Sequence, residues 1–485
     1  MTELSSEGSL YELVSRGNKD KYFISDTLTA LSPFRNNYKR VPAFVHERRQ
    51  IPPINNADFN KIIEFQFEVA GDIYTHPTLL IELPTWLPNF TINNVSVDYN
   101  KSIVTDLSGN SYGYTKGIGY FLFEQIQIYQ DQILLQEFSG DALYATRLSR
   151  GSINSGILEN TLIGYHDGSV VAISRNGKPN ILRLELPMIG CQNNNDGGFP
   201  SFGVRSQNFK LRCKLRSLED LVEASGTLGL SIENSKKKPQ PWGRSDFQIQ
   251  LAKGQTPVAF NSISPPVKTI ERYMIGQPTI YLETRHIYVD PDTQKDLVDS
   301  TIEYPFTRLY ENIFYFNEKD YAPLTRGAVA AVTKRIDAVH PASRIVFFLR
   351  QQTDIQANRL WKITSDTINE EYYNNVSLLI ASRDRETLFP PFIWNALTQN
   401  TKEDRYSGNG LGIMNWDLGD QRGRVPPFTR QPEGSVNFST ADRPTIYIEL
   451  QQIAGTSRNT EMRLIVDTWA SYTTEERRGA LTYAN

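Results

Sequence analysis

The sequence predicts an all-β protein built as two antiparallel sandwiches of Greek-key or jelly-roll type, on three observations. Apolar and polar residues alternate at period two in stretches along the whole chain, and helical periodicity is confined to short pieces. The same order of parts also closes both halves. In the second half, Gly434 supplies a turn, Ser435 to Ser439 can extend, and Ala441 to Pro444 reverses the chain. Ile446, Ile448 and Leu450 then share one strand face with Tyr447 and Glu449 on the other, and Met462, Leu464 and Val466 repeat the pattern. In the first half, Arg175 to Pro179 makes the turn, and Leu182, Leu184 and Leu186 alternate with Arg183 and Glu185. Phe209, Leu211, Cys213 and Leu215 then alternate with Lys210, Arg212, Lys214 and Arg216. Two copies of one β domain are the economical reading.

The totals agree. A length of 485 residues suits two domains of about 200 residues, since single cores rarely grow past roughly 250–300. The 24 Tyr and 24 Phe favour pleated, half-buried surfaces, and the 31 Gly and 26 Pro are spread as loop punctuation. A formal charge of -3 argues against a chain whose main task is coating nucleic acid. Two cysteines rule out a disulfide framework, and Cys213 reads as a buried thiol in a reducing compartment. No stretch reaches the roughly 18–20 apolar residues of a membrane span, and Met1 to Gly8 lacks the regions of a signal peptide. The expectation is a soluble, non-secreted protein.

Taken in order, Ser9 and Glu12 form a capping box, with Gly17 as the stop of a short helix over Leu10 to Arg16. The aromatic, basic lead-in at Lys21 to Ile24 and Phe34 to Arg40 has no clear period, so it wraps its own domain or docks on a neighbour. Sheet-like pattern follows at Ile62 to Val69 and Thr78 to Leu83, and the Asn-rich run Asn89 to Tyr114 suits a long surface loop. Tyr120 to Leu135 holds two strands joined near Gln130 and Asp131. Asp141 is placed to cap a helix over Ala142 to Arg150. Gly226 to Trp242, with its Lys and Pro run, reads as a linker or insertion. The second half opens with a strand at Thr279 to Val289 and a helix at Pro291 to Asp299. Strands follow at Glu311 to Phe316, Arg344 to Leu349 and Ser377 to Ile380, with a turn at Arg383 to Arg385. Tyr406 to Arg424, holding five Gly, reads as a loop.

Catalytic chemistry finds no support. His46, His76, His166, His286 and His340 stand far apart, without the clustered His and carboxylate of a cupin-like metal site. Gly408 to Gly412 lacks the Lys-Ser/Thr and the flanking strand and helix of a phosphate loop. No metal, cofactor or catalytic residue is assigned. The cationic row Lys210, Arg212, Lys214 and Arg216 demands solvent or a partner, read first as a solvated sheet face, then as a surface for an acidic partner or nucleic acid.

Three segments resemble, in the right order, the double jelly-roll major capsid proteins of nucleocytoplasmic large DNA viruses, the group with the iridoviruses, phycodnaviruses and African swine fever virus relatives. Gly8 to Phe23, continuing into Phe34 to Arg40, is similar to that family's amino-terminal signature. Phe123 to Ala145 looks like its strand, turn, strand and Gly-Asp-x-Leu-Tyr segment, carried by Gly140, Asp141, Leu143 and Tyr144. Gly434 to Asp442 resembles its Asn-Phe-Ser motif, with Asn437, Phe438, Ser439 and Asp442 in place. Thr440 and Ala441 replace the usual Arg-Ile, and Glu433 replaces Ser.

The resemblance implies two tandem eight-stranded antiparallel jelly rolls with short helices in loops. The boundaries are an extension over 1–50, jelly rolls over 51–222 and 266–476, a linker or insertion over 223–265, and a tail over 477–485. It implies a structural, non-enzymatic subunit whose homotrimer forms a pseudo-hexagonal capsomer tiling an icosahedral shell. Its partners would be neighbouring capsomers and minor capsid proteins, with an indirect contact to an inner membrane and no specific nucleic acid. The shell would be assembled in the host cytoplasm. Tyr22, Phe23, Phe34, Tyr38, Lys39 and Arg40 would make base contacts. Two alternatives stay open: a minor capsid, penton-associated or scaffolding paralogue, and a glycan-binding attachment sandwich with Tyr112 and Tyr114 as its platform.

Overall fold

The computed structural model describes residues 44–67, 71–84, 111–150, 181–192, 198–224, 277–299, 301–321, 330–363, 371–381, 383–397, 410–416, 434–439, 444–450, 459–475 and 477–482. Short pieces at 96–98, 103–105, 163–164, 174–175, 178–179, 248–249 and 258–259 are described as well. The chain divides into two compact units, Met1–Ala43 and Phe44–Asn485, and every described residue belongs to the second. The expected helix at Leu10 to Arg16 and the contact residues Tyr22, Phe23, Phe34, Tyr38, Lys39 and Arg40 lie outside the described residues, as does Asp442.

Two pairs of antiparallel sheets make the body. In the first pair, β1 (Phe44–Ile51), β16 (Thr279–Val289), β3 (Ile73–Glu82) and β11 (Leu182–Glu185) lie in the order β1-β16-β3-β11. β2 (Ile62–Gln66), β12 (Phe209–Leu215), β7 (Phe123–Gln130) and β8 (Ile133–Phe138) lie in the order β2-β12-β7-β8. The second pair repeats this order. β17 (Ile302–Phe316), β25 (Thr460–Glu475), β19 (Pro341–Gln351) and β22 (Leu411–Asn415) form one sheet, extended by β23 (Val436–Asn437) on β19 and β26 (Arg478–Leu481) on β25. β18 (Ala330–Arg335), β24 (Thr445–Leu450), β20 (Tyr373–Ile380) and β21 (Arg383–Phe389) form the other. A smaller sheet takes β13 (Val222–Ala224), β6 (Ser111–Tyr114), β5 (Ile103–Thr105) and β4 (Ser96–Asp98). Two short hairpins, β9 (Ser174–Arg175) with β10 (Lys178–Pro179) and β14 (Gln248–Ile249) with β15 (Val258–Ala259), complete the set.

Alternation placed the cores well. Ile63 and Phe65, Ile126 and Ile128, and Leu211 and Cys213 face Leu79 and Ile81, Ile280 and Leu282, and Leu182 and Leu184 in one cluster. Ile345, Phe347 and Leu349 meet Ile446, Ile448 and Leu450 with Met462, Leu464 and Val466 in a second. Cys213 is fully buried, and burial pushes its thiol pKa well up.

Four expectations need correction. The strand Thr279–Val289, placed in the second half by sequence, pairs with β1 and β3 and so belongs to the first sheet pair. Asn89 to Tyr114, read as a loop, contains β4, β5 and β6, whose short lengths hide any period. The Gly-rich run around Gly408 to Gly412, also read as a loop, leads into β22, which is paired with β19 and almost wholly buried. Gly412 lies opposite Phe347, and a Cβ there would stand 2.2 Å from the ring Cζ, so glycine makes room for an aromatic ring rather than for a turn. Finally, the helix spans Gly140–Arg150 and its first amides are met by Ser139, whose Oγ accepts from the Ala142 N–H at 2.9 Å. Asp141 is inside the helix and its carboxylate is used elsewhere.

Candidate functional site

The motif residues Gly140, Asp141, Leu143 and Tyr144 come together where the two sheet pairs meet. The helix Gly140–Arg150 packs on β19 and β22, while the neighbouring edge strand β8 meets β17. Gly140 is required by closeness: a Cβ would lie 2.1 Å from the Tyr120 carbonyl oxygen and 2.6 Å from that of Phe123. Leu143 and Tyr144 are buried, with the Tyr144 ring against Tyr120 and Phe121. Its hydroxyl donates to the Trp361 carbonyl at 3.0 Å, from the first half to the second.

Asp141 is fully buried among arginines. Its carboxylate meets Arg350 at 2.6 Å, Arg216 at 2.8 Å and Arg463 at 3.0 Å. Arg350 and Arg463 stand on β19 and β25, so the carboxylate of the first half is held by the second. Glu461 accepts from Arg350 at 2.8 Å and pairs with Arg463 as well, and Glu311 on β17 completes the group. Three guanidiniums thus face three carboxylates, and Arg350 also donates to the Leu360 carbonyl at 2.8 Å. Burial alone would raise the Asp141 carboxyl. The charges of Arg350, Arg463 and Arg216 outweigh it and hold the carboxyl far below the usual range. A group desolvated this fully is stable only while its charges balance.

Further contacts cross the same seam. Glu223 on β13 accepts from the Trp361 indole N–H at 3.0 Å and faces Arg359 at 3.5 Å. Asn358 donates to the Val222 carbonyl at 2.7 Å and its own carbonyl accepts from the Thr115 hydroxyl at 2.7 Å. The Lys116 ammonium sits 4.7 Å from the Trp361 ring centroid. Arg350, Arg463, Glu461 and Trp361 were not singled out by sequence. The available signal was charge at even spacing inside apolar strands.

The second motif lies elsewhere, at a corner of the second half. Phe438 is buried against Trp416, and its N–H donates to the His340 carbonyl at 3.1 Å. Ser439 Oγ accepts from the His340 N–H at 2.8 Å, and Asn437 Oδ1 accepts from the Ser439 N–H at 2.8 Å. Gly434 is half-buried just before β23, which adds to the start of β19. His340 adopts φ of 75°, so this clasp holds a backbone turn that other residues resist.

The cationic row of β12 is largely answered from within. Arg212 faces Glu64 at 3.7 Å, Lys214 faces Glu124 at 2.9 Å, and Arg216 turns inward to Asp141. Lys210 is exposed. Tyr114 is buried with its hydroxyl donating to the Pro84 carbonyl at 2.6 Å, so it offers no ring face for a sugar to stack on. No group of His, Cys, Asp and Glu that could hold a metal occurs among the described residues.

Two predictions follow from these buried charges. Asp141→Asn leaves the arginines short of a carboxylate and should destabilise by about 3–5 kcal/mol in denaturant unfolding; a change under about 1 kcal/mol would show that the cluster does not hold the seam. Glu371, 7% exposed, accepts from the Asn395 amide at 3.3 Å, and burial pushes its pKa up to about 7, as it does for Glu223. The fold therefore favours the neutral acid, whose stabilising effect is complete below the ordinary 4.5 and is lost as pH rises through about 7. Glu371→Gln should match the parent near pH 5 and exceed its stability at pH 8 by about 1–3 kcal/mol. Parallel stability profiles from pH 5 to pH 8 would contradict this.

No family model and no curated protein matches the sequence. Solved structures do match. PBCV-1 VP54, fitted into a reconstruction of the virophage Sputnik, aligns with a TM-score of 0.66 at 13% identity, over 94% of this chain and 100% of that one. A quasi-atomic model of the PBCV-1 virus capsid gives 0.65 at 14% identity, over 94% and 100%. The Faustovirus major capsid protein gives 0.58 at 13% identity, over 92% and 93%. The chain shares the antiparallel jelly-roll fold of these capsid structures over most of its length.

Proposed function

We propose that this chain is a structural capsid subunit, which closes into a homotrimer and tiles an icosahedral viral shell as a major capsid protein. The observation that carries the reading is the near-complete, two-way coverage of the PBCV-1 and Faustovirus capsid structures, 94% and 92% of this chain. The chemistry of the seam supports it. The buried charges Asp141, Arg350, Arg463 and Glu461 are spent on joining the two sheet pairs. A body with two like halves suits a ring in which six similar domains approximate a hexagon, closed by a heterologous interface. On this reading the subunit resides in the virion shell, is assembled in the host cytoplasm, and meets neighbouring capsomers, minor capsid proteins and, indirectly, an inner membrane. Tyr22, Phe23, Phe34, Tyr38, Lys39 and Arg40 are assigned to contacts at the base.

Light scattering after size exclusion, with imaging of the peak, tests this. The full chain should elute at about three times 55.2 kDa with a hexagonal outline. A chain lacking residues 1–40 should keep the trimer but build no shell. A monomer stable on dilution would overturn the assembly reading, and loss of folding on deletion would overturn the role of the lead-in.

A further inference from the structure

The connection from β21 to β22 is tied at both ends to one carboxyl group. It leaves β21 through a π-helical turn, Ile393–Leu397, and re-enters the sheet at Gly410, next to β22. Glu371, two residues before β20, reaches both ends. Its Oε1 accepts from the Asn395 amide at 3.3 Å, and its carboxyl also accepts from the Gly410 backbone N–H. The Tyr373 hydroxyl donates to Asn395 Oδ1 at 3.2 Å, which fixes the amide so that its N–H faces Glu371. Gly410 adopts φ of 100°, a conformation that suits glycine, so the backbone itself aims the second donor. In the same turn, the buried Trp394 donates its indole N–H to the carbonyls of Val376 at 3.3 Å and Phe389 at 3.1 Å.

Glu371 has lost its water without gaining a cation. It is 7% exposed, and Asn395 and Tyr373 around it are buried too. Asp141 faces three arginines, whereas no cation faces Glu371 among the described residues. β22 and the π-helical turn carry no charged side chain. β20 supplies Tyr373, and β24 supplies Tyr447 and Glu449, the latter accepting from Asn375. β19 commits Arg344 to Asp467 and Arg350 to Asp141, and the charges of β21, Arg383 to Glu386, sit at its far end. Two neutral donors therefore hold a carboxyl whose charge burial opposes. Neutral, it keeps both bonds; charged, it gains most by turning to water, and Asn395 and Gly410 lose their acceptor together.

We propose that Glu371 is a proton-operated latch on this connection. With its proton on, the carboxyl locks the π-helical turn and the start of β22 to the start of β20; on losing it, both ends come free together and Trp394 is unseated. Burial pushes the Glu371 pKa up to about 7 from the ordinary 4.5, so the latch is fully closed below the ordinary value and is lost as pH rises through about 7. A subunit in a mildly acidic medium carries a closed edge, and one moved to an alkaline medium an open one. The latch belongs to the single chain and does not depend on how copies assemble.

Hydrogen exchange of the full chain, read by mass spectrometry between about pH 5.5 and about pH 8, tests it. Within each sample, the protection of Ile393–Leu397 and of Leu411–Asn415 is divided by that of Phe123–Gln130, which cancels the effect of pH on the exchange chemistry itself. In the parent this ratio should fall by roughly 10- to 30-fold toward the higher pH, and in Glu371→Gln it should stay constant. A parent ratio that does not change, which would make Glu371 a contributor to global stability alone, overturns the latch. A fall of equal size in Glu371→Gln does so as well. If that variant fails to fold, the parent decides by itself: the two segments should lose protection with one shared midpoint near pH 7, and separate midpoints overturn the proposal.

Discussion

A sheet buried on both faces constrains everything around it, because neither side can be given to solvent. In the sheet β17-β25-β19-β22, the strands β25, β19 and β22 are buried in this way. Ile345, Phe347 and Leu349 close the second core, while Val346 and Phe348 on the other face belong to the first. Likewise Met462, Leu464 and Val466 face one way and Ile465 the other. The charged residues on the outer face therefore had to be neutralised without water. Asp141 does this from across the seam by meeting Arg350 and Arg463, with Arg216 of its own half on the same carboxylate. Apolar burial holds the halves together, and the balanced charges fix their register, since a shifted helix would take the buried Asp141 carboxylate from two of its three guanidiniums.

This explains which parts of the molecule could be read from sequence. Both inner cores were legible, because alternation such as Leu182, Leu184 and Phe209, Leu211, Cys213 marks the buried side of a two-layer sheet. The outer face was not. Arg344, Val346, Phe348 and Arg350 share one parity, and charge mixed with apolar residues at period two ordinarily means a solvated face. Only the presence of the other half changes that meaning, and periodicity carries no information about a neighbour distant in sequence. The same holds for β16, whose strand character was plain but whose partners, β1 and β3, lie about two hundred residues upstream.

The motif residues divide along the same line. Resemblance located Gly140, Asp141, Leu143 and Tyr144, but their individual roles came from the structure. Gly140 admits two carbonyls, Asp141 anchors arginines rather than capping a helix, and Tyr144 ties itself to Trp361. Asn437, Phe438 and Ser439 instead clasp the turn at His340, which no local pattern announced. The glycine-rich approach to β22 misled because glycine commonly marks flexibility, whereas Gly412 is fixed beneath Phe347.

The most direct test of this account is native-state hydrogen exchange read by mass spectrometry at increasing denaturant. Peptides from Gly140–Arg150 in the first half and from β19 and β25 in the second should share one high protection and lose it together, as a single cooperative unit. If the helix exchanges at low denaturant while β19 and β25 stay protected, the seam is a loose contact between independent domains, and the central role given to Asp141 is wrong.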